Sequence, residues 1–581
     1  MICLLLKFRR KIVKKIKIEK EMRDNIFNIL KFAIIVFAIS IFACQSYLNN
    51  MLIYTHDLGY HLNRIREISK NLDLKIFPSL IHSGLLKNLG YANSIFYPEI
   101  FLYIPAIIMS VLGLHVLTAY KLFLIIITFF TFISMYISSK GIFKKKGIAW
   151  LASILYVFSL YRLTDIYVRG ALGEILSFIF VPLIFYGLYE IIFGENKKWW
   201  IISIGLFGVA NSHVLTFVML IPVILLICLF NIDKIFKNKK KLLNLVIAAI
   251  LAVILCIGFF GPMLEQKLND TFYIDGKSIE SSEVVKERST ALSMVLGSNL
   301  KSGYAVSSTT RSDGMSEGVG AILLILSGLI LCRKGLSYKE NRFEIQVFVL
   351  GVISYFMTTT LFPWEKFEFL NIFQFPFRLN FIPTICFSFI GAKSFYEVVT
   401  NKRDAVIILS LVILIISGYV LSSVRLNFNP DIYQTVDDLF KGIEHEAGNA
   451  EYLPVNSDLE DLSLYNIHDK EKNIEFSQTG SRIEFEYNEE NLDMDISVPL
   501  TYYKGYKANI VDVNGNKTEL EVAKNDKNGH VLIKSEQKLT GKIIVEYKMT
   551  VIQAICYSIT IITILILIIY IIRDWKKRST L

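Results

Sequence analysis

About a dozen long stretches with few or no charges constrain the fold of this 581-residue chain more than any other feature. They lie at 32–50, 122–139, 148–161, 175–189, 199–212, 214–232, 242–264, 318–332, 345–364, 379–392, 405–424 and 549–572. A helix needs about 20 mostly apolar residues to cross the hydrocarbon core of a bilayer. Several runs reach that length, whereas 148–161 and 199–212 must borrow neighbouring residues. Together with a hydrophobic content of 53%, this pattern excludes a soluble protein and predicts a polytopic α-helical membrane protein.

The distribution of lysine and arginine predicts how the helices are oriented. Basic clusters occur at 140–147, 195–198, 233–241, 332–342, 401–404 and 573–578, and the N-terminus is basic as well. Short cytoplasmic loops carry the excess of these residues, so all the clusters belong to one face and both chain ends are cytoplasmic. Twelve crossings fit if the apolar run 98–114 is a juxtamembrane or re-entrant helix. The net charge of +11 is then mostly a topology signal, and we expect no nucleic-acid partner.

The same alternation divides the chain into four regions of a multi-pass plasma-membrane protein. They are a basic cytoplasmic N-terminus at 1–26, a transmembrane bundle at 27–424 with outer loops at 50–121 and 265–317, an outer region at 425–548, and a final transmembrane helix with a basic cytoplasmic tail at 549–581. In the outer loop 265–317, the Gly/Ser-rich stretch 297–314 is typical of a mobile lid over a substrate site.

The outer region has the composition of a β domain. Short segments such as "SRIEFEYN", "KANIVDVNG" and "GKIIVEYKM" are rich in apolar residues that alternate with polar ones, and Asn514-Gly515 and Asn528-Gly529 are turn signals between them. These features predict a small antiparallel β-sandwich or jelly-roll inserted before the last helix. The part at 430–470 reads as mixed helix and loop.

The first outer loop begins with "THDLGYHLNRIREIS", which has helical periodicity. Asp57, His61 and Arg64 fall on one face of this helix, and an apolar stripe follows on the next face. One interpretation is an amphipathic interfacial helix whose charges are simply solvated. The other is a polar cavity into which the carboxylate, imidazole and guanidinium project.

Further polar residues are predicted at the same membrane face. The segment "YRLTDIYVRGALGE" carries Arg162, Asp165, Arg169 and Glu174, and isolated polar groups at helix ends include His213, Gln374 and Arg378. Ionisable groups near the membrane are costly unless they are paired or line a wet cavity, which favours a functional role. The alternatives are a snorkelling arginine at position 378 and an ordinary ion pair between residues 169 and 174.

At these residues the sequence resembles a known family. The loop motif "DLGYHLNRI", the following "GYANSIFYP", and the segments "VRGALGEILSFIFVPLIFYGL", "FQFPFRL" and "VPLTYYKGYKA" resemble the integral membrane proteins called 6-pyruvoyl-tetrahydropterin synthase-related. Those proteins are close to the YfhO-type proteins of the GT-C glycosyltransferase superfamily. The resemblance covers nearly the whole chain. No zinc-binding histidine cluster supports the pterin part of that name.

The GT-C resemblance implies an inverting glycosyltransferase that moves a sugar from a polyprenyl-phosphate donor to a cell-envelope glycopolymer or glycolipid. An acidic residue of the first outer loop acts there as a general base or helps to hold a metal, and Asp57 matches that position. Guanidinium groups stabilise a leaving phosphate. Arg64, Arg162, Arg169 and Arg378 are candidates for this role, and Gln374 and His213 are further candidate substrate contacts. His61 either orients Asp57 or contacts phosphate.

Two points stay open after this comparison. No DxD-like pair follows Asp57, so a divalent metal, Mg²⁺ or Mn²⁺, is one reading, and Glu99, Asp165 or Glu174 is a candidate second acid. A lipid-linked saccharide transporter or an envelope-assembly scaffold would also fit a bundle with an outer β domain. A transporter should place polar residues deep in the helices and break paired helices with glycine or proline.

Overall fold

The computed structural model describes residues 2–48, 55–277, 279–297, 299–301, 315–426, 450–457, 466–469, 472–489, 494–535 and 539–579. Most of the lid predicted at 297–314 and most of the mixed segment at 430–470 lie outside these described residues. In chain order the helices are α1 (Ile2–Ala43), α2 (Leu58–Asp73), α3 (Asn93–Phe96), α4 (Tyr103–Leu112), α5 (Val116–Phe143), α6 (Lys146–Val157), α7 (Leu160–Thr164), α8 (Leu172–Ile192), α9 (Ile201–Ala210), α10 (Val214–Phe230), α11 (Ile232–Phe236), α12 (Lys239–Asn269), α13 (Tyr273–Gly276), α14 (Ser282–Glu287), α15 (Leu292–Val295), α16 (Ala321–Gly328), α17 (Arg342–Thr358), α18 (Phe381–Val398), α19 (Lys402–Leu426) and α20 (Val551–Ser579).

Six helices among the described residues are long and apolar enough to cross a membrane. The spans lie in α1, α5, α8, α12, α19 and α20. A seventh results if α6 and the helical segment Leu160–Arg169, which are bent by 41° to each other, count as one broken span. The chain is therefore a helical membrane protein, but the predicted twelve crossings are not confirmed.

The difference in number comes from helix length. Several predicted crossings form shorter apolar helices, such as the 10-residue α9 and the 17-residue α10. At a rise of 1.5 Å per residue, 10 residues span only about 15 Å, half of the hydrocarbon core. The run 98–114 contains the 10-residue α4, which is too short to cross alone.

The two ends of the bundle differ in character. The basic loops at 140–147 and 195–198 follow the C-terminal ends of α5 and α8. At the opposite end, Asp57, just before α2, is hydrogen-bonded to Arg169, shortly before α8, and the loop after α2 contacts the β domain described below. We call the latter the β-domain end of the bundle.

In the described part of the region between α19 and α20, nine antiparallel strands form the β domain. The strands are β1 (Ile467–Asp469), β2 (Lys472–Ile474), β3 (Ser477–Thr479), β4 (Arg482–Glu489), β5 (Met494–Thr501), β6 (Tyr506–Val511), β7 (Lys517–Lys524), β8 (His530–Ser535) and β9 (Leu539–Tyr547). Their order in the sheet is β2-β1-β5-β8-β7-β6-β9-β4-β3.

The prediction of a β domain at this place in the chain is confirmed, whereas the predicted β-sandwich or jelly-roll is not confirmed. Strand β7 pairs with β6 along its first half and with β8 along its second half, which joins all strands into one continuous sheet. Side chains of strands far apart in the order, such as Phe485 of β4 and Val498 of β5, nevertheless share one hydrophobic core. The sheet therefore curves around its own core.

The β domain also packs on the loop between α2 and α4. Leu85, Leu89 and Phe96 of that loop belong to the same hydrophobic core as the buried strand residues. The backbone N–H of Thr501 donates to the carbonyl of Leu89 at 2.8 Å. A second joint lies at the end of α12, where the Gln266 side chain exchanges two hydrogen bonds with the backbone of Lys504 at 2.8 and 3.0 Å. These contacts place the β domain directly over one end of the bundle.

Candidate functional site

A cavity of about 620 Å³ lies between the β-domain end of the bundle and the segment that leads into the β domain. It is lined by His56, Asp57, Tyr60, His61, Phe96, Tyr97, Arg169, Ala171, Gly173, Glu174, His213, Val214, Leu215, Val218, Met263, Lys267, Ile274, Ile372, Gln374, Arg378, Glu451 and Tyr452. The lining thus contains six of the eight residues predicted to be catalytic or substrate-binding: Asp57, His61, Arg169, His213, Gln374 and Arg378.

Asp57 is the residue immediately before α2, and its backbone is held from the neighbouring helix. Its N–H donates to the carbonyl of Arg169 at 2.9 Å. The apolar stripe predicted for α2, Leu58, Leu62 and Ile65, is fully buried in the bundle core. Burial of this stripe fixes the rotation of α2, so the start of the helix presents Asp57 and His61 to the cavity.

The opposite wall is built by a break in a membrane helix. After α6, the short α7 continues into a π-helical turn, Asp165–Arg169, and the turn ends at Gly170 with φ +63°. A Cβ atom at Gly170 would lie 2.1 Å from the Thr55 hydroxyl oxygen, so only glycine fits both the backbone conformation and the space. The break ends the helix at the cavity and turns Arg169 toward it.

Arg169 is held by two carboxylates at this break. Its guanidinium binds both oxygens of Glu174, with N–O distances of 2.7 and 2.8 Å, and one oxygen of Asp165 at 2.5 Å. The Tyr161 hydroxyl donates to the same Glu174 carboxylate at 2.9 Å. Bidentate pairs of this type fix geometry as well as charge. Arg169 and Glu174 therefore form a rigid, locally neutralised wall of the cavity.

Arg378 is less completely engaged than Arg169. Its Nη1 donates to the Gln374 side chain at 3.1 Å, and its Nε lies 3.5 Å from Glu174 Oε1 without forming a hydrogen bond. The guanidinium stacks over the Phe375 ring at 4.8 Å. Gln374 has φ +60°, which is unfavourable for a residue with a side chain. Among the described residues, no hydrogen bond is found for Nε or Nη2 of Arg378, whereas Arg169 is bound by two carboxylates. Of the two arginines that line the cavity, Arg378 is therefore the better placed to bind an added anion.

His213 caps α10 and faces the cavity as a neutral group. Its Nδ1 accepts a hydrogen bond from the Thr216 backbone N–H at 3.2 Å. Burial, together with the nearby Arg378 and Arg169, lowers the pKa of His213 to about 4 against the opposing effect of Glu174. Because Nδ1 accepts, the single proton of the neutral ring is on Nε2. The ring can therefore donate one hydrogen bond without adding charge.

Arg64 lies behind the cavity wall and not in it, although the sequence predicts it as a substrate contact. Its Nε binds Glu99 at 2.7 Å, its Nη2 binds the Pro98 carbonyl at 2.6 Å, and its Nη1 meets His61 Nδ1 at 3.2 Å. The guanidinium also lies 4.5 Å from the centre of the Tyr97 ring. These partners occupy its donors, so Arg64 supports the cavity wall through His61 and Tyr97.

Arg162 is likewise absent from the cavity lining. It is fully buried in the bundle, where it donates to the Val157 carbonyl at 3.1 Å and to the Thr128 hydroxyl at 2.9 Å. It follows α6 on the first turn of α7, on the core side of the break. The prediction of a phosphate contact at Arg162 does not agree with this position.

The three candidate second acids have different surroundings. Glu99 does not line the cavity, and it binds His82 Nε2 at 3.0 Å in addition to Arg64. Although burial alone would raise the pKa of Glu99, His82 and Arg64 lower it to about 2. Asp165 is fully buried beside Arg169 and does not line the cavity either. Of the three, only Glu174 borders the cavity, where Arg169 neutralises it.

Asp57 has the environment of a general base. Desolvation by the surrounding protein raises its pKa above the ordinary value of 3.8, Glu174 adds to this effect, and Arg169 and Arg378 oppose it. Its side chain is exposed within the cavity, and among the described residues no side-chain hydrogen bond or ion pair is found for it. A carboxylate that is open to a ligand and has a raised pKa can accept a proton from a weakly acidic hydroxyl.

Among the described residues, no three or more His, Cys, Asp or Glu side chains are grouped so that they could hold a metal ion. The predicted Mg²⁺ or Mn²⁺ therefore has no protein-only binding cluster in that part of the chain. Two carboxylates of the cavity, Asp57 and Glu174, provide oxygen donors, and Glu174 is already bound to Arg169.

Sequence reasoning missed several cavity residues. His56, Tyr60, Tyr97 and Lys267 are near residues that it did single out, and Tyr60 lies three positions after Asp57 on the same helix. Tyr452 and its neighbour Glu451 come from a segment read only as mixed helix and loop. Nothing in the sequence links that segment to Asp57, because their proximity depends on how the β domain sits on the bundle.

Comparison with known proteins places the chain in a family. Residues 26–373, more than half of the chain, match a family of unknown function, DUF6541. The chain belongs to DUF6541. This DUF6541 protein is 25% identical over 264 residues to an uncharacterized protein of Lactococcus lactis subsp. cremoris (strain MG1363). That match covers 43% of the chain and 42% of the Lactococcus protein. The resemblance to 6-pyruvoyl-tetrahydropterin synthase-related and YfhO-type proteins is not confirmed.

Among solved structures, the DUF6541 protein is similar to the cryo-EM structure of the arabinofuranosyltransferase AftD from Mycobacteria. The TM-score is 0.43 at 14% identity, over 70% of this chain and 27% of AftD. A structure of an AftD mutant gives a TM-score of 0.41 at 15% identity, over 68% of this chain and 27% of that one. Similarity of this extent does not establish a common activity, and the chain spans about a quarter of the length of AftD.

Proposed function

We propose that this protein is a membrane glycosyltransferase that moves a sugar from a polyprenyl-phosphate donor to a cell-envelope acceptor. The observation that carries the proposal is the placement of Asp57 in a cavity that also contains an incompletely paired arginine, Arg378. A base and an anion-binding group within one cavity are what a hydroxyl attack with a phosphate leaving group requires.

In the proposed reaction, Asp57 takes the proton of an acceptor hydroxyl as its oxygen forms a bond to the anomeric carbon of the donor sugar. The bond between that carbon and the phosphate oxygen breaks, and its electron pair stays on the phosphate. Arg378 stabilises the resulting negative charge, and the neutral His213 donates a hydrogen bond to a phosphate or sugar oxygen. Attack opposite the leaving group inverts the anomeric configuration. Positioned base catalysis of this type contributes about 10²–10⁴-fold in rate.

An apolar surface beside the cavity supports a lipid-linked donor. Val218 of α10 lines the cavity, and Ile221 and Leu225 follow at helical spacing on the same helix. Their exposed fractions are 38%, 37% and 62%. A prenyl chain can lie along this ridge in the bilayer while its phosphate reaches Arg378. Cytoplasmic chain ends and a cavity on the outer face, as the basic loops predict, are part of the proposal.

A saccharide transporter is the second candidate, and one observation favours it. The break between α6 and α8, with its π turn and buried charges, is the kind of interrupted helix on which transporters build binding sites. The transporter would bind the same lipid-linked saccharide and carry it across the membrane without chemical change.

One experiment separates these functions. Purified protein in proteoliposomes receives radiolabelled polyprenyl-phosphate sugars, and both transfer of the label to envelope glycan and its movement across the bilayer are measured. Asp57→Asn should reduce transfer by about 10²–10⁴-fold with unchanged thermal unfolding. The matched control is Asp73→Asn at the far end of α2, which should transfer at the wild-type rate. Movement of intact donor with no transfer would favour the transporter, and full transfer by Asp57→Asn would refute the proposed base.

A further inference from the structure

The segment that leads into the β domain, residues 450–457, forms one wall of the cavity. It pairs with the chain after α12: the N–H of Ile274 donates to the Glu451 carbonyl at 2.8 Å, and the N–H of Tyr273 donates to the Leu453 carbonyl at 3.0 Å. This pairing fixes the backbone on both sides of Tyr452. The β domain is therefore attached to the cavity itself as well as to the bundle.

Tyr452 is held before any ligand binds. Its ring stacks on Phe96 with a centroid distance of 5.1 Å and an interplanar angle of 6°, and on Tyr91 at 6.1 Å and 24°. Its backbone N–H donates to the Tyr91 hydroxyl at 3.1 Å, and its carbonyl accepts from the Tyr503 hydroxyl at 3.1 Å. Packing and hydrogen bonds from both the loop and the β domain thus place the Tyr452 ring in the wall.

Glu451 supplies a carboxylate to the same wall. It forms an ion pair with Lys277, and both side chains are partly exposed. A neighbouring pair joins Lys267 and Asp275 at 2.5 Å. Carboxylates and phenol hydroxyls that are exposed in a cleft can hydrogen-bond the hydroxyl groups of a sugar.

The two sides of the cavity differ in chemistry. Val214, Leu215 and Val218 of α10 form an apolar side, whereas residues 451 and 452 form a polar one. The charged lining residues are balanced: Asp57, Glu174 and Glu451 against Arg169, Lys267 and Arg378. A phosphate on Arg378 would leave the rest of the cavity net negative. A polyanionic second ligand would then be repelled, and a neutral one would not.

We propose that Glu451 and Tyr452 form a binding wall that selects a neutral saccharide as the acceptor. That the bound saccharide is an acceptor rests on the proposed glycosyl transfer, but the saccharide site itself is testable without turnover. In this arrangement the apolar side receives the lipid-linked donor, and the β-domain segment decides which hydroxyl is presented to Asp57.

The location is tested by photo-crosslinking on the full-length protein in nanodiscs. The probe is octyl β-D-glucoside with a diazirine on the sugar, below its critical micelle concentration, and labelled peptides are identified by mass spectrometry. We expect labelling of 450–457, and competition by unmodified octyl β-D-glucoside at least fivefold better than by the anionic octyl β-D-glucuronide. Absent labelling of this segment, or equal competition by the two glycosides, would overturn the inference.

Variants test the two side chains. Glu451→Gln and Tyr452→Phe remove only polar atoms, so packing is kept, and each should reduce labelling of the segment at least fivefold. Undecaprenyl phosphate binding should change less than twofold. The control is Val513→Ala, because Val513 is 91% exposed in the β domain and does not line the cavity. Unchanged labelling in both cavity variants contradicts the inference. If these results hold but wild-type protein transfers no sugar, the saccharide site stands and the transferase proposal fails.

Discussion

Two buried clusters of charge lie near each other at the β-domain end of the bundle, and they differ in how completely they are paired. In the first, Arg64 and Glu99 satisfy each other, with His82 as a further partner, and neither Arg64 nor Glu99 lines the cavity. In the second, Arg169 is neutralised by Glu174, but the Nε of Arg378 lies 3.5 Å from Glu174 without a hydrogen bond, and Asp57 is exposed in the cavity.

This difference separates a structural role from a functional one. A buried charge without a partner is costly, so a fully paired cluster is stable and has no remaining capacity for a ligand. The incompletely paired cluster beside the cavity has that capacity, and we call it the open cluster: Asp57, Arg169, Glu174 and Arg378. Residue type alone does not distinguish the clusters, since both contain arginine and glutamate.

The largest effect on stability is expected from breaking the fully paired cluster. Glu99→Gln leaves the buried Arg64 without its counter-charge and should lower the free energy of unfolding by about 3–5 kcal/mol. Thermal unfolding of the detergent-solubilised protein measures this loss. The control is Glu451→Gln, whose partly exposed ion pair should contribute no more than about 1 kcal/mol. Equal shifts of the two variants would contradict the distinction.

Lowering the pH should weaken the ion pair between Arg64 and Glu99. The pKa of Glu99 is lowered to about 2 in the folded protein from an ordinary 4.5. The ionised carboxylate therefore contributes stability above pH 4.5, and this contribution is lost as the pH falls toward 2. When the free energy of unfolding is measured across this pH range, the Glu99→Gln variant should lose less stability on acidification than the wild-type protein.

Two glycines, one of them at the helix break, allow a matched comparison in which the expected loss of stability is smaller than for Glu99→Gln. Gly170 and Gly113 have the same φ of +63°, but a Cβ atom would meet Thr55 at Gly170 and nothing within 4 Å at Gly113. Either Gly→Ala change should cost about 1–2 kcal/mol from the left-handed backbone. Only Gly170→Ala should also displace Arg169 and reduce transfer, measured at equal folded concentration. Equal transfer by both variants would show that the break does not shape the site.

The open cluster predicts a shift in the pH dependence of transfer. Transfer requires ionised Asp57, so the rate should rise with pH through the raised pKa of this residue. Arg378 lowers that pKa, so Arg378→Gln should move the acid limb of the single-turnover rate to higher pH. An acid limb that stays in place, or moves to lower pH, would show that Arg378 does not lower the pKa of Asp57.

The smallest effect is expected at the strained residue of the open cluster. Gln374 has φ +60°, and its side chain accepts from Arg378. Gln374→Gly should relieve about 1 kcal/mol of backbone strain while it releases Arg378. We expect slightly higher thermal stability and weaker undecaprenyl phosphate binding. A loss of stability would show that the side-chain contact outweighs the strain.

Much of this arrangement could be predicted from the sequence. Hydropathy predicts the long helices, and alternation predicts the β domain before α20. The amphipathic pattern of α2 places Asp57 and His61 together, because each residue of a helix is rotated by 100° from the one before it and residues four apart therefore share a face. Most site residues recognised in this way are polar groups at helix ends.

The rest depended on three-dimensional packing. Arg64, Arg162, Arg169 and Arg378 are equivalent candidates as sequence, and only their positions and partners separate them. Of the two that line the cavity, Arg169 is bound by Asp165 and Glu174, whereas no hydrogen bond is found for Arg378 Nε. The predicted twelve spans are not confirmed, because several short helices of 10–17 residues among the described ones are apolar enough to cross a membrane but not long enough. The single curved sheet depends on the two neighbours of β7, which hydropathy does not specify.

The central claim, that the open cluster binds a lipid phosphate, is tested most directly by undecaprenyl phosphate binding to the protein in nanodiscs. Arg378 and Arg288 stack over the same Phe375 ring at 4.8 and 4.7 Å, but only Arg378 lines the cavity. We predict that Arg378→Gln raises the Kd at least tenfold, whereas Arg288→Gln and Asp57→Asn leave it within twofold. Equal Kd values for the Arg378→Gln and Arg288→Gln variants would contradict the account.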